Sequence, residues 1–242
     1  TLGALVQSHG ALLHVDASQS AGKLPLDLQT LPVDLLSLSA HKLYGPKGIG
    51  ALVVRQHPVR VRLEPLLYGG GQERGLRAGT LPVHQIVAMG EACRLARIEM
   101  KAEQVRIRRL RDRLWQGLAS LGKVDLNGHP EQNMSGILNV SFAGIAAEAL
   151  LDALPEIALA TGSACTSTSH EPSHVLRAMG CDAMRMRGAV RFSLGRFTTV
   201  EEIDYTINAV TAAVTRLREL SPAWETRQGS PTKYRAVDWA AP

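Results

Sequence analysis

The feature that most constrains this chain is a short stretch, Ser39-Ala40-His41-Lys42-Leu43-Tyr44-Gly45-Pro46-Lys47-Gly48, set directly behind the run Val33-Asp34-Leu35-Leu36-Ser37-Leu38. The run is apolar enough for a buried strand, and the polar and Gly/Pro residues after it end that strand. Lys42 therefore sits just past a strand, where an amine can be partly desolvated. Desolvation disfavours the ammonium form, so a lysine there has a lowered pKa and can attack an aldehyde. Ser39 and His41 can donate hydrogen bonds to a phosphate, and glycines at 45, 48 and 50 let the backbone turn tightly close by. Taken alone, Lys42 reads as a surface lysine in a turn, because lysine is seldom buried unpaired.

The upstream sequence changes that reading. Ala11-Leu12-Leu13-His14-Val15 is a second short apolar run; it ends in Asp16, with Gln19 three residues on. An acid at one strand end and a lysine after the next strand is the arrangement of the ligand edge of an open α/β sheet. Pyridoxal phosphate needs both groups: a lysine to form an imine, and a carboxylate to keep the pyridine nitrogen protonated so that the ring draws electrons.

Three motifs, His14-Val15-Asp16-Ala17-Ser18-Gln19-Ser20, Ser39-Ala40-His41-Lys42 and Gly162-Ser163-Ala164-Cys165-Thr166-Ser167, closely resemble the cysteine desulfurases of iron-sulfur cluster assembly, within the class V aminotransferases. The likeness continues through Gly69 to Thr80 and Val190 to Phe197. It implies an α/β, fold type I transferase: part of a large domain with a mixed sheet over residues 1–100, then a small α+β domain over 101–242 with a mobile cysteine loop at 161–172. The implied reaction converts L-cysteine to L-alanine and leaves a persulfide on Cys165. The sulfur then passes to an iron-sulfur scaffold protein, other acceptors and tRNA thiolation.

By the same resemblance Asp16, Gln19, Ser39, His41, Lys42 and Thr80 bind pyridoxal phosphate, Thr80 reaching the cofactor phosphate of the second subunit of a homodimer, and Arg191 binds the substrate carboxylate. Full-length relatives carry a large N-terminal portion ahead of the first strand, with a histidine that stacks on the cofactor, a phosphate-binding threonine and an asparagine. Those residues have no counterpart here. Two other readings stand beside the desulfurase: an incomplete fragment acting as a dimerisation or docking module, and a selenocysteine lyase-like enzyme.

Composition narrows the field. Hydrophobic content of 45 % and charged content of 20 % suit a globular chain, and no apolar run is long enough to span a membrane. The start, Thr1 to Val6, shows neither a signal nor a transit peptide. The net charge of +5 raises nucleic-acid binding, but acids intersperse the arginines and aromatics are few. The three cysteines at 93, 165 and 181 make neither a disulfide framework nor a zinc site, so a reducing, cytoplasmic setting fits best. Cys165 alone sits among small polar residues, where a thiol stays reactive.

Further expectations follow from pattern. Ile49 to Val54 reads as a strand, and Gln56 to Leu67 as a short strand and turns with a basic face at Arg55, His57, Arg60 and Arg62. A long helix runs from Pro82 to Leu121, bent or broken near Gly90 or Met100, with Arg106, Arg108, Arg109, Arg111 and Arg113 on a solvated face. Strands follow at 124–126, 137–142 and 157–160, with helices at 146–154 and 172–179. A strand at 190–194 and an amphipathic helix at 200–220 capped by Thr198 or Thr199 complete the pattern. Trp224 and Trp239 either pack on the chain or anchor a partner.

Overall fold

The computed structural model describes residues 2–56, 61–161, 173–221 and Trp224. The chain divides into two compact units, Thr1–Ala102 and Glu103–Pro242.

The first unit opens with helix α1 (Leu2–Ser8), and the chain turns at Gly10 with φ 64°, a left-handed conformation open to glycine. Strands β1 (His14–Asp16) and β2 (Leu35–Ser39) pair in parallel, and β3 (Gly50–Val54) returns antiparallel along the other side of β2. The sheet is mixed, as expected. Buried Ala17, Val33 and Leu36 form its small core, with Leu13, Val15, Leu28, Leu31 and Leu38 against them. The irregular connection before β2 is fastened by Arg55, whose guanidinium donates to the carbonyls of Val33 (2.6 Å), Leu28 (2.8 Å) and Leu31 (2.5 Å). Arg55 is thus a tether for backbone acceptors and not part of a solvated basic face. Arg62 is exposed, His57 and Arg60 lie outside the described residues, and no strand forms over 61–67.

Helix α2 (Val83–Ala119) begins directly after Pro82 and runs without interruption for 37 residues. The break expected near Gly90 or Met100 is absent. Proline at the start costs no helical hydrogen bond, and a lone glycine weakens a helix without ending it.

In the second unit β5 (Ile137–Phe142) lies between β4 (Val124–Leu126) and, completing the sheet, β6 (Ala189–Ser193), antiparallel to both. Leu110, Leu114 and Leu118 recur every fourth residue on α2 and pack with Leu138, Val140, Phe142 and Val190 of the sheet. Helix α3 (Ala147–Asp152) adds Leu150 to this core, and α6 (Val200–Glu219) adds Ile203, Val210 and Val214. Each such side chain contributes roughly 1.5–3 kcal/mol when fully buried.

The short helices α4 (His174–Ala178) and α5 (Ala183–Arg187) are capped by the side chains of Ser173 and Asp182. Helix α6 carries a capping box in which Thr199 and Glu202 satisfy each other's backbone N–H groups.

Four arginines in the C-terminal half of α2 form hydrogen bonds within this unit. Arg106 donates to the carbonyls of Gly195, Arg196 and Thr198, and Arg108 to Asn133. Buried Arg111 reaches Ile137 O, and Arg113 grips Asp204 with two bonds. Arg106, Arg109 and Arg113 are exposed, in line with the expected solvated face, whereas Arg111 is buried and Arg108 half-buried; the guanidinium forks of Arg106, Arg108, Arg111 and Arg113 also bind oxygen acceptors. Trp224 stacks with Arg218 at 4.1 Å, in line with packing on the chain's own body; Trp239 lies outside the described residues.

Candidate active site

Because β1 and β2 run parallel, with Asp16 paired to Ser37, their carboxyl ends emerge at one edge of the first unit's sheet. Asp16 closes β1, and β2 ends at Ser39, immediately before a single 3-10 turn, Ala40–Leu43, that holds His41 and Lys42. Two local features form that turn. Tyr44 takes a left-handed conformation, φ 64°, and the N–H of Gly45 closes back on Ala40 O at 3.0 Å. A Cβ at position 45 would lie 3.0 Å from Ala40 O, a tight contact that glycine avoids.

The Asp16 carboxylate accepts the backbone N–H of Ser18 at 2.9 Å. Hydrogen bonds from the Ser18 side chain and then its backbone hold the Asp16 carboxyl below its ordinary pKa of 3.8. The acid therefore stays ionised, the state in which it can hold a protonated ring nitrogen. Ser39 Oγ lies 3.0 Å from His41 Nδ1, so the two groups are joined beside Lys42. Gln19 Oε1 accepts from Lys23 Nζ at 3.3 Å. Lys42 itself is exposed, contrary to the partial burial expected from its place behind a strand, because no described residue covers the turn. Behind the turn, half-buried Cys93 packs near Leu43, as a core residue does.

Thr80 is exposed at the end of the glycine-rich loop. That loop is shaped by a turn at Gln72–Gly75 in which Glu73 (φ 50°) and Arg74 (φ 59°) are both left-handed. Two successive non-glycine residues there cost about 1–2 kcal/mol each. Gln72 Oε1 holds the loop by accepting the N–H of Gly79 at 3.2 Å.

In the second unit, Arg191 lies mid-strand in β6, paired with Asn139 of β5 and, through an isolated bridge, with Ala160. The strand expected at 157–160 is reduced to that bridge. Arg191 Nε is buried and, among the described residues, has no hydrogen-bond partner. An unsatisfied buried donor costs about 1–3 kcal/mol, and an anionic ligand with two oxygens would remove that cost. Cys165 and the loop from 162 to 172 lie outside the described residues. Cys181 is half-buried; its N–H donates to Leu176 O at 3.0 Å behind left-handed Gly180 (φ 79°), and so closes α4. No cluster of His, Cys, Asp and Glu among the described residues could hold a metal, and no described helix is long and apolar enough to cross a membrane.

Sequence reasoning missed one pair at this edge. His14 Nε2 and Ser37 Oγ lie 2.7 Å apart on the same sheet face as Asp16. The two-residue period of a strand, applied to His14 and Asp16, would have found it.

Comparison with known proteins adds the family. The aminotransferase class-V family matches residues 1–206. The chain is 56 % identical over 241 residues to cysteine desulfurase IscS of Pectobacterium carotovorum and 55 % identical to that of Klebsiella pneumoniae; each match covers 99 % of this chain and 59 % of the relative. The chain thus spans about three-fifths of the length of these curated relatives. Among solved structures, a NifS-like protein superposes with a TM-score of 0.74 at 38 % identity, covering 85 % of this chain and 53 % of that one. SspA in complex with cysteine gives a TM-score of 0.61 at 33 % identity, covering 82 % and 54 %. CsdA of Escherichia coli, a cysteine desulfurase in its S-sulfonic acid form, gives 0.70 at 27 % identity, covering 90 % and 54 %. With an acid and a lysine leaving one edge of a mixed α/β sheet, and with these matches along nearly its whole length, the chain belongs to the aminotransferase class-V family and is a homologue of its cysteine desulfurases.

Proposed function

We propose that the chain carries the catalytic part of a pyridoxal phosphate-dependent cysteine desulfurase, with the first unit belonging to the large cofactor-binding domain and the second forming the small domain. The observation that carries this reading is the parallel pairing of β1 and β2, which brings Asp16 and Lys42 to the same sheet edge. When bound, pyridoxal phosphate supplies a protonated ring that draws electrons from the substrate's α-carbon.

The residues present fit that group. The Asp16 carboxylate is kept ionised by Ser18 and suits a ring N–H, with Gln19 nearby in sequence; Ser39 and His41, joined side by side, suit the phosphate. In a homodimer Thr80 adds a hydroxyl to the phosphate site of the second subunit. Lys42 accepts the α-proton of L-cysteine and later returns a proton. Arg191 takes the substrate carboxylate on the buried Nε that has no partner among the described residues.

The Cys165 thiolate attacks the substrate sulfur. A sulfur–sulfur bond forms on Cys165, the substrate Cβ–S bond breaks, and its electron pair stays on carbon, which takes a proton to give L-alanine. The persulfide then passes its sulfur to an iron-sulfur scaffold protein or to carriers for tRNA thiolation. A reducing, cytoplasmic setting suits this chemistry.

The exposure of Lys42 favours one second reading: a unit that docks or dimerises and is catalytically incomplete by itself. Borohydride reduction of the purified chain with added pyridoxal phosphate, followed by mass spectrometry, separates the two. A phosphopyridoxyl adduct on Lys42, with alanine release lost in Cys165→Ala, supports the enzyme. No adduct on Lys42 supports the docking unit.

A further inference from the structure

Arg191 has a polar neighbour directly across the sheet. It exchanges both backbone hydrogen bonds with Ala160, so its pairing with Asn139 of β5 is of the non-hydrogen-bonded kind, in which antiparallel backbones come closest. Side chains of such a pair stand on one face with Cβ atoms roughly 4.5–5.5 Å apart. That face is opposite to the core, because Leu138 and Val140 of β5 and Val190 and Phe192 of β6 alternate with the pair and are core residues. Asn139 is half-buried, and buried Ser141 follows two residues on along the same face.

A chain of hydrogen bonds that starts at Arg185 on α5 sets the direction of the Asn139 amide. Arg185 Nε donates to Asn127 Oδ1, and its Nη2 donates to Leu126 O, each at 2.8 Å. A guanidinium has donors only, so the atom of Asn127 that faces it is the amide oxygen. The Asn127 side-chain nitrogen then donates to Asn139 Oδ1 and Ser141 Oγ, each at 2.7 Å. The backbone N–H of Asn127 also donates to Asn139 O at 2.9 Å, which keeps the two residues side by side. Asn127 and Ser141 are both buried, where a broken hydrogen bond is not replaced by water. The chain ends at Asn139 Nδ2, a donor that makes no hydrogen bond among the described residues.

We propose that Asn139 is a second anion-binding residue beside Arg191, its Nδ2 donating to the carboxylate that the Arg191 guanidinium holds, with Asn127 and Arg185 as positioning residues. This rests on the reading of Arg191 as the substrate-carboxylate site. The two groups are complementary. Arg191 brings charge and a buried Nε without a partner among the described residues, and Asn139 brings a neutral donor whose oxygen is already engaged by Asn127. Turned this way, the pair offers donors only. A ligand without a pair of anionic oxygens leaves them unmet, so the pair selects substrates that carry a free α-carboxylate.

The probe is L-alanine added to the purified chain, with ethylamine, the same amine without the carboxylate, as the control. Both are followed by the nitrogen-15 resonances of the Asn139 side-chain amide and of Arg191 Nε. The expected result is a saturable shift of both resonances with L-alanine and of neither with ethylamine. Asn139→Asp keeps the acceptor for Asn127 and puts an anionic oxygen in place of the donor, so it should raise the L-alanine dissociation constant by about tenfold or more. Arg185→Gln, which lets Asn127 turn over, should raise it by about threefold. Unchanged amide exchange in β5 and β6 shows that the variants are folded, and the titration of the parent chain decides without them if they are not. A shift at Arg191 Nε with none at Asn139, or an Asn139→Asp chain that binds L-alanine as tightly as the parent, overturns this proposal and leaves the Arg191 site standing. Equal shifts with ethylamine overturn it as well. No shift at either residue overturns the carboxylate reading of Arg191 and this proposal with it.

Discussion

Ala160 and Arg191 exchange both backbone hydrogen bonds, at 2.7 and 3.3 Å, so the segment that leads to Cys165 starts beside the one arginine whose buried Nε has no partner among the described residues. Ala160 is thus bridged directly to the strand that carries the unpartnered Nε. This pairing leads to the first prediction.

Arg191→Gln keeps the backbone pair and removes the guanidinium. A charge-assisted bond of about 1.5–3 kcal/mol corresponds to a rise of roughly 10- to 150-fold in KM for L-cysteine, with a smaller effect on kcat. Steady-state alanine release measures it, and an unchanged KM would remove Arg191 from the substrate site.

Ser18 is the residue that keeps Asp16 acidic, through its side chain first and its backbone second. In Ser18→Ala the carboxyl should titrate closer to its ordinary value of 3.8, followed by carbon-13 NMR of the Asp16 carboxyl. The sign is fixed by the direction of the shift: the folded pKa is depressed, so the stabilising contribution is present above the unfolded pKa and is lost as pH falls through the folded one. The variant should lose less stability on acidification than the parent.

Asp204 follows the same logic on the other unit, its carboxyl held low by the two hydrogen bonds from Arg113. Asp204→Asn should flatten the acid limb of the stability curve below about pH 4 and leave the neutral limb little changed, because the pair is exposed and screened. Urea midpoints measured from pH 2 to pH 7 would check this.

Leu114 is 1 % exposed at the centre of the larger core. Leu114→Ala should destabilise the second unit by about 2–5 kcal/mol, the lost transfer energy plus the cavity left behind. Denaturant unfolding of the variant gives the value directly.

Arg218, 7 % exposed, donates to the carbonyls of Leu121, Gly122, Lys123 and Ala143. Arg218→Met strands those acceptors and should cost about 3 kcal/mol. Arg218→Lys should recover little of it, since a single ammonium cannot replace a planar fork.

Much of this fold can be read along the chain. The apolar runs before Asp16 and Ser39, the turn chemistry at Gly45, and the Thr199–Glu202 cap of α6 all act within a few residues, so local pattern is enough to place them. The acid and the lysine were also legible as a pair, because a strand end can be recognised from the residues that stop it.

The use of the arginines was not legible. Arg55, Arg106, Arg111 and Arg113 have the composition of a solvated basic face, yet each is bound to oxygens up to 92 residues away in sequence. The same holds for Lys42, whose exposure depends on what covers its turn, and for Arg191, whose unsatisfied Nε appears only once β5 and Ala160 flank it. Sequence alone determined the elements, their order and the chemistry they can carry. Tertiary structure decided which charges are tethered and, among the described residues, which donor has no partner and which apolar side chains are exposed, because burial and hydrogen-bond satisfaction belong to residues that meet only after the chain has folded.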